Sequence, residues 1–284
     1  MNSWEDLYTK RIKGGKVSVN PMADREQSQL ANTTSQREKG AGPRPSAAPG
    51  SSNPAQHRFI PRVLPLKLTN PYPAVLGRIR NALSDCWANI LIETKQTVSA
   101  VLVSGAARNE GATFISYHLA MFLAKEFNMK VLYVDTNLDR PGIPRAQNRP
   151  GVYSYLSEEK ELSSLIVKTE YPGFYLLPSG AGKVAKNVNS NMLTREPLSA
   201  LMDFCRDNFT VTIIDGQPLT SSPVMVECAR LVDMTLLVCR YGHSRQEVSK
   251  LAIEKLQKFG VTSIGVILND RKFPVPQKIY QLLG

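Results

Sequence analysis

From Val98 onward, short runs rich in Val, Ile and Leu recur at intervals filled by stretches of helical periodicity, and that alternation leaves few folds open. The runs are Val98–Ser104, Val131–Asp135, Phe174–Pro178, Val211–Asp215, Met234–Cys239 and Ser263–Asn269. Helical patterns fall between them at Phe114–Phe127, Leu198–Asn208, Val224–Leu231 and Arg245–Phe259, with a loop and short helices leading from Asp135 to Val167. Continuous apolar strands joined by helices belong to a parallel sheet covered on both faces. The expected fold is therefore α/β, a doubly wound parallel sheet. Ahead of it, Leu76, Ile79, Leu83, Trp87, Ile90 and Leu91 repeat at three- and four-residue steps, which predicts an amphipathic helix over 73–92. One domain over 72–284 accounts for the whole pattern.

The first 71 residues read differently. From Gly14 to Pro71 the chain is rich in Ser, Asn, Gln, Pro and Gly, and it buries too little apolar surface to offset its chain entropy, so a disordered tail over 1–71 is expected. Of the formal charge of +11, +6 falls in residues 1–70. A basic tail suits an acidic partner, and it equally suits plain solubility. Trp4, Leu7, Tyr8 and Ile12, beside Lys10 and Arg11, fit either a short docking peptide or a frayed terminus. No window approaches a membrane-spanning run and Met1–Asp6 does not open a secretory signal, so a cytoplasmic protein is expected. Cys86, Cys205, Cys228 and Cys239 are unpaired in spacing and sit in apolar segments, as reduced thiols do. With His57, His118 and His243 scattered, neither a zinc site nor a disulfide is expected.

In open α/β sheets ligands bind at the carboxyl ends of strands, and three strand ends here carry chemistry. The first run leads into Arg108-Asn109-Glu110-Gly111-Ala112-Thr113, the second into Asp135-Thr136-Asn137-Leu138-Asp139-Arg140-Pro141, and a later one into Asp215-Gly216-Gln217-Pro218. In a phosphate loop, backbone N–H groups cradle phosphate, a lysine follows the last glycine, and a Ser or Thr hydroxyl meets Mg²⁺. Gly111 and Thr113 are in register for this, with Ala112 where the lysine belongs. A plainer reading leaves Asp135 and Asp215 as acceptors for loop N–H groups, with Thr113 as a helix cap.

These residues resemble the cytoplasmic domains of bacterial tyrosine kinases (BY-kinases) of capsule and exopolysaccharide assembly, relatives of the ParA/MinD P-loop ATPases. The resemblance covers about 71–284. Where that family reads Pro-Gly-Glu-Gly-Lys-Ser/Thr, this chain has Arg108–Thr113; Asp-x-Asp-Leu-Arg-Arg-Pro is matched by Asp135–Pro141, and Asp-Thr-Pro-Pro by Asp215–Pro218. The Leu177-Pro178-Ser179-Gly180 turn and Gly265–Asn269 are further landmarks. The departures are Ala112 for lysine, Asn137 for the second aspartate and Gln217 for a proline. The ring-assembly Glu-x-x-Arg-x-x-Arg of the family falls on Ala74, Gly77 and Arg80, and after Arg271 one tyrosine, Tyr280, stands where kinases carry a cluster.

The resemblance implies a P-loop NTPase fold of ParA/MinD/BY-kinase type, with Arg108, Asn109, Glu110, Gly111, Ala112 and Thr113 around ATP or ADP. Thr113, Asp135 and Asp215 would hold Mg²⁺, and Asp135 or Asp215 would orient the attacking group if the protein is active. Loss of the lysine points to a weakened nucleotide grip, by tenfold to a hundredfold or more if a charged hydrogen bond contributes about 1.5–3 kcal/mol. It points also to a regulatory partner of an inner-membrane polysaccharide chain-length or export protein, peripheral at that membrane through the partner. Alternatives are an active ATP-dependent tyrosine kinase or ATPase in which Arg108 supplies the charge, and a localisation factor like the pilus-assembly relatives of ParA and MinD. Self-association is a further expectation; nucleic acid is not an expected partner.

Overall fold

Residues 72–138, 142, 143, 146, 148–158, 160–180 and 195–270 are described by a computed structural model. The tail expected over 1–71, the Asp139-Arg140-Pro141 stretch and everything from Arg271 lie outside the described residues, as does the side chain of Ala74.

The strands are β1 (Ala100–Gly105), β2 (Val131–Asp135), β3 (Val167–Lys168), β4 (Phe174–Leu177), β5 (Val211–Asp215), β6 (Met234–Arg240) and β7 (Ile264–Asn269). The helices are α1 (Tyr72–Glu93), α2 (Ala112–Glu126), α3 (Val152–Glu158), α4 (Leu162–Leu165), α5 (Arg195–Asn208), α6 (Pro223–Leu231) and α7 (Gln246–Lys258). The strands form one sheet in the order β3-β4-β2-β5-β1-β6-β7. All pairs are parallel except β3 with β4, where Val167 faces Leu176 and Lys168 faces Tyr175 antiparallel. The sequence pattern missed this edge strand because two residues show no alternation.

Strand residues of alternating parity feed two cores. Leu102, Leu132, Val134, Ile214, Leu237 and Cys239 pack with Leu198, Leu201, Met202 and Cys205 of α5, with Met225 and Cys228 of α6, and with Ala252 and Leu256 of α7. Val101, Val103, Val131, Tyr133, Ile213 and Val238 turn the other way, onto Leu119, Met121, Phe122 and Leu123 of α2 and Leu83, Trp87 and Ile90 of α1. A strand buried on both faces needs apolar residues at every position, which is why the runs read as continuous. Asp135 and Asp215 have the parity of Tyr133 and Ile213. Their side chains therefore emerge on the α2 side of the sheet, where α2 begins.

The α1 stripe is the one the periodicity marks: Leu83, Trp87 and Ile90 are buried and Ile79 and Leu91 pack against the same core, whereas Ile92, off the stripe, is 73% exposed. Arg80 of α1 pairs with Glu126 at the end of α2 at 2.5 Å. Among the described residues β7 is the far edge strand of the sheet, and Val266 and Leu268 are exposed. Among the described residues no helix is long and apolar enough to cross a membrane. All four cysteines are free, with Cys205, Cys228 and Cys239 buried and Cys86 partly so.

Candidate functional site

β1 hands the chain to α2 through a tight loop at the carboxyl edge of the sheet. Asn109 (φ 65°) and Gly111 (φ 93°) are left-handed there. At Gly111 a Cβ would also lie 2.1 Å from Asn269 Nδ2, so both conformation and space require glycine. α2 then starts at Ala112 with no side chain capping it and no acid in its first turn. Its first N–H groups have no intrahelical acceptor and carry the positive end of the helix dipole, the arrangement that suits an anion.

This loop walls a cavity of about 320 Å³. Arg108, Asn109, Glu110, Gly111, Ala112 and Thr113, the six residues singled out in the sequence, all line it. Asn137, from the loop after β2, and Gln217, from the loop after β5, complete its wall. Three strand ends distant in sequence are thus brought to one place.

The loops hold each other firmly. Thr220 Oγ1 donates to Ala106 O at 2.6 Å and Leu219 N to Gly105 O at 3.0 Å. Ser104 Oγ donates to Gln217 O at 2.6 Å, and Gln217 Nε2 to Thr136 O at 3.1 Å. Gln217, which departs from the family's proline, therefore bridges the β5 loop to the β2 loop.

Asp135 and Asp215 lie behind the cavity wall. They are register partners across β2 and β5, and both are buried. Asp135 accepts the Asn137 N–H at 3.0 Å on Oδ1 and the Gly142 N–H at 2.7 Å on Oδ2. Asp215 Oδ2 accepts the Tyr133 hydroxyl and Asn137 Nδ2, each at 3.0 Å. Burial and then the neighbouring charge of Asp215 push the Asp135 carboxyl well above its ordinary range, against backbone N–H groups that pull it down. Burial also raises Asp215, opposed by the hydroxyls of Thr113, Tyr133 and Ser116 and by Asn137. Asn137 has a clear consequence: an aspartate there would add a third carboxylate, whereas the amide donates to Asp215.

A divalent cation of the kind that accompanies phosphate fits part of this set. Asp215 Oδ1 is buried without a hydrogen bond and Thr113 stands beside its carboxyl group, giving hard oxygen donors. Asp135 has backbone N–H groups on both oxygens, as the plainer reading anticipated, but Asp215 takes side-chain donors instead, and Thr113 lies inside the first turn of α2 rather than capping it. Among the described residues no group of three or more His, Cys, Asp or Glu is placed to hold a metal ion. Mg²⁺ at Asp215 and Thr113 would therefore keep water and phosphate oxygens as its remaining ligands.

Sequence reasoning missed Tyr133 and Ser244. Tyr133 lies two residues before Asp135, hence on the same face of β2, and strand parity would have found it. Ser244 lies in the turn after β6, where it donates to Glu110 Oε1 at 2.5 Å; no local signal marks that contact.

No family model matches the chain. The tyrosine-protein kinase etk of Escherichia coli K12 is 28% identical over 222 residues, which cover 77% of this chain. The solved kinase domain of that Escherichia coli kinase superposes with a TM-score of 0.63 at 25% identity, covering 73% of this chain and 84% of that domain. By sequence and by fold, the chain is similar to the bacterial tyrosine kinases. The tyrosine-protein kinase CpsD of Streptococcus agalactiae (strain NEM316) is 26% identical over 171 residues, covering 59% of this chain and 72% of CpsD. The match spans only 29% of the length of etk. The α/β fold expected of a P-loop NTPase of this kind is the one observed, with β3 as its antiparallel addition.

Proposed function

We propose that this chain is a nucleotide-fold protein with a weakened phosphate grip, acting as a regulatory binding partner in bacterial capsule or exopolysaccharide assembly. The observation that carries the reading is Ala112. It is the first residue of α2 and lines the cavity next to Gly111, the position from which a phosphate-loop lysine would reach the outer phosphates. Phosphoryl transfer depends on positive charge placed where negative charge develops, so a cradle without that ammonium binds more readily than it turns over.

On this reading the backbone N–H groups of Arg108–Thr113 receive ATP or ADP, and Thr113 and Asp215, with Asp135 behind them, hold Mg²⁺. The partner is an inner-membrane polysaccharide chain-length or export protein, which brings the domain to the cytoplasmic face of the membrane. The basic segment 1–71 belongs to the same proposal as a tail separate from the 72–284 domain. Co-precipitation should recover a membrane polysaccharide-assembly component, and a deletion strain should alter surface polysaccharide. Recovery of none, with normal polysaccharide, would refute the reading.

Arg108 favours a second reading. It lines the same cavity and its guanidinium can grip phosphate bidentately, giving an active ATP-dependent kinase or ATPase. Phosphate release or self-phosphorylation lost in both Arg108→Ala and Asp215→Ala would establish it.

A further inference from the structure

Behind the cavity loop lies a set of contacts that phosphate chemistry does not use. Glu110 is 2% exposed although it belongs to a surface loop. Its Oε2 accepts the Ala107 N–H at 2.9 Å, and its Oε1 accepts the Ser244 hydroxyl at 2.5 Å. Ser244 Oγ in turn accepts the Arg240 N–H at 2.7 Å, so its single proton is directed to Glu110. From the other side, Asn269 Nδ2 donates to the Glu110 carbonyl at 3.1 Å while Asn269 Oδ1 accepts the Asp270 N–H at 2.9 Å. Ser244 follows β6 and Asn269 ends β7. The two strands beyond β1 in the sheet thus hold one residue of the β1–α2 loop.

Asn109 and Gly111 both have positive φ, which these two residue types adopt more readily than others, so the turn's conformation is local while its position is fixed by the contacts to Glu110. The Glu110 carboxylate fills the space under Gly105, where a Cβ would come within 2.7 Å of Oε2. Hydrogen bonds to a buried carboxylate are the stronger, charge-assisted kind, and losing one donor leaves that charge undersatisfied.

We propose that Glu110, Ser244 and Asn269 form a latch that keeps the 106–111 loop open around the cavity, making them positioning residues for the phosphate-bearing ligand. The proposal rests on the reading of this cavity as a phosphate site.

Amide exchange of the ligand-free full chain tests it residue by residue. In Ser244→Ala, exchange at Ala107 and its neighbours through Thr113 should quicken by about tenfold or more, the loss of one charge-assisted bond. Amides of β1, β5 and β6 should keep their rates. Ser244→Thr, which retains the hydroxyl, should restore loop protection, and Glu110→Gln, which can still bridge Ala107 and Ser244, should exchange less than Glu110→Ala. Unchanged loop protection in Ser244→Ala, or a loss spread evenly over the sheet, would overturn the latch. Neither result depends on nucleotide or partner, so failure here is distinct from failure of the proposed function.

Discussion

Asp135 and Asp215 are the residues whose chemistry depends most on their surroundings. Both carboxyls are held above their unfolded values, mainly by burial, so the native chain keeps protons that the unfolded chain has released. Their contribution to stability is therefore greatest at acid pH and is lost as pH rises from the ordinary carboxylate range, about 4, through their elevated native values. Asp215→Asn should flatten that decline: between about pH 5 and about pH 8 its melting temperature should fall less than that of the natural protein. Superimposable profiles would mean that the pair does not carry the proton. At Gly111, alanine meets both a positive φ and the Asn269 amide, and urea unfolding of Gly111→Ala should show a loss of about 1–3 kcal/mol.

The elements divide into those the sequence announces and those only packing decides. The bounds of β2 and β5 were readable because each is a short, almost wholly apolar or β-branched run that ends in Asp135 or Asp215. β3 was not readable, since two residues acquire strand geometry only by pairing with β4. In α1 the spacing gave the buried face: Ile92, five residues after Trp87 and so about 140° round the helix, falls outside it. Trp87→Ala should accordingly cost about 3–5 kcal/mol in denaturant unfolding, and Ile92→Ala less than about 0.5 kcal/mol. The cavity residues were legible because each follows a strand end. The latch was not, because Ser244 and Asn269 reach Glu110 from 134 and 159 residues away.

For the molecule as a whole, the two cores on either side of the sheet determine how the thiols behave. Burial pushes Cys205 and Cys228 up to about 12 and Cys86 to about 11, so all three stay protonated and unreactive in the native state. A thiol reagent at neutral pH should modify the folded protein slowly and all four cysteines promptly in denaturant; rapid modification of the native protein would contradict the packing described. The same framework carries the functional account: a complete α/β frame, three strand ends around one cavity, and alanine where a cation is expected. Calorimetric titration of ATP with Mg²⁺ into the natural protein and into Ala112→Lys tests this most directly. Binding at least about tenfold tighter in the variant is the predicted result; equal, micromolar binding by both, abolished by Arg108→Ala, would show that the grip was never lost.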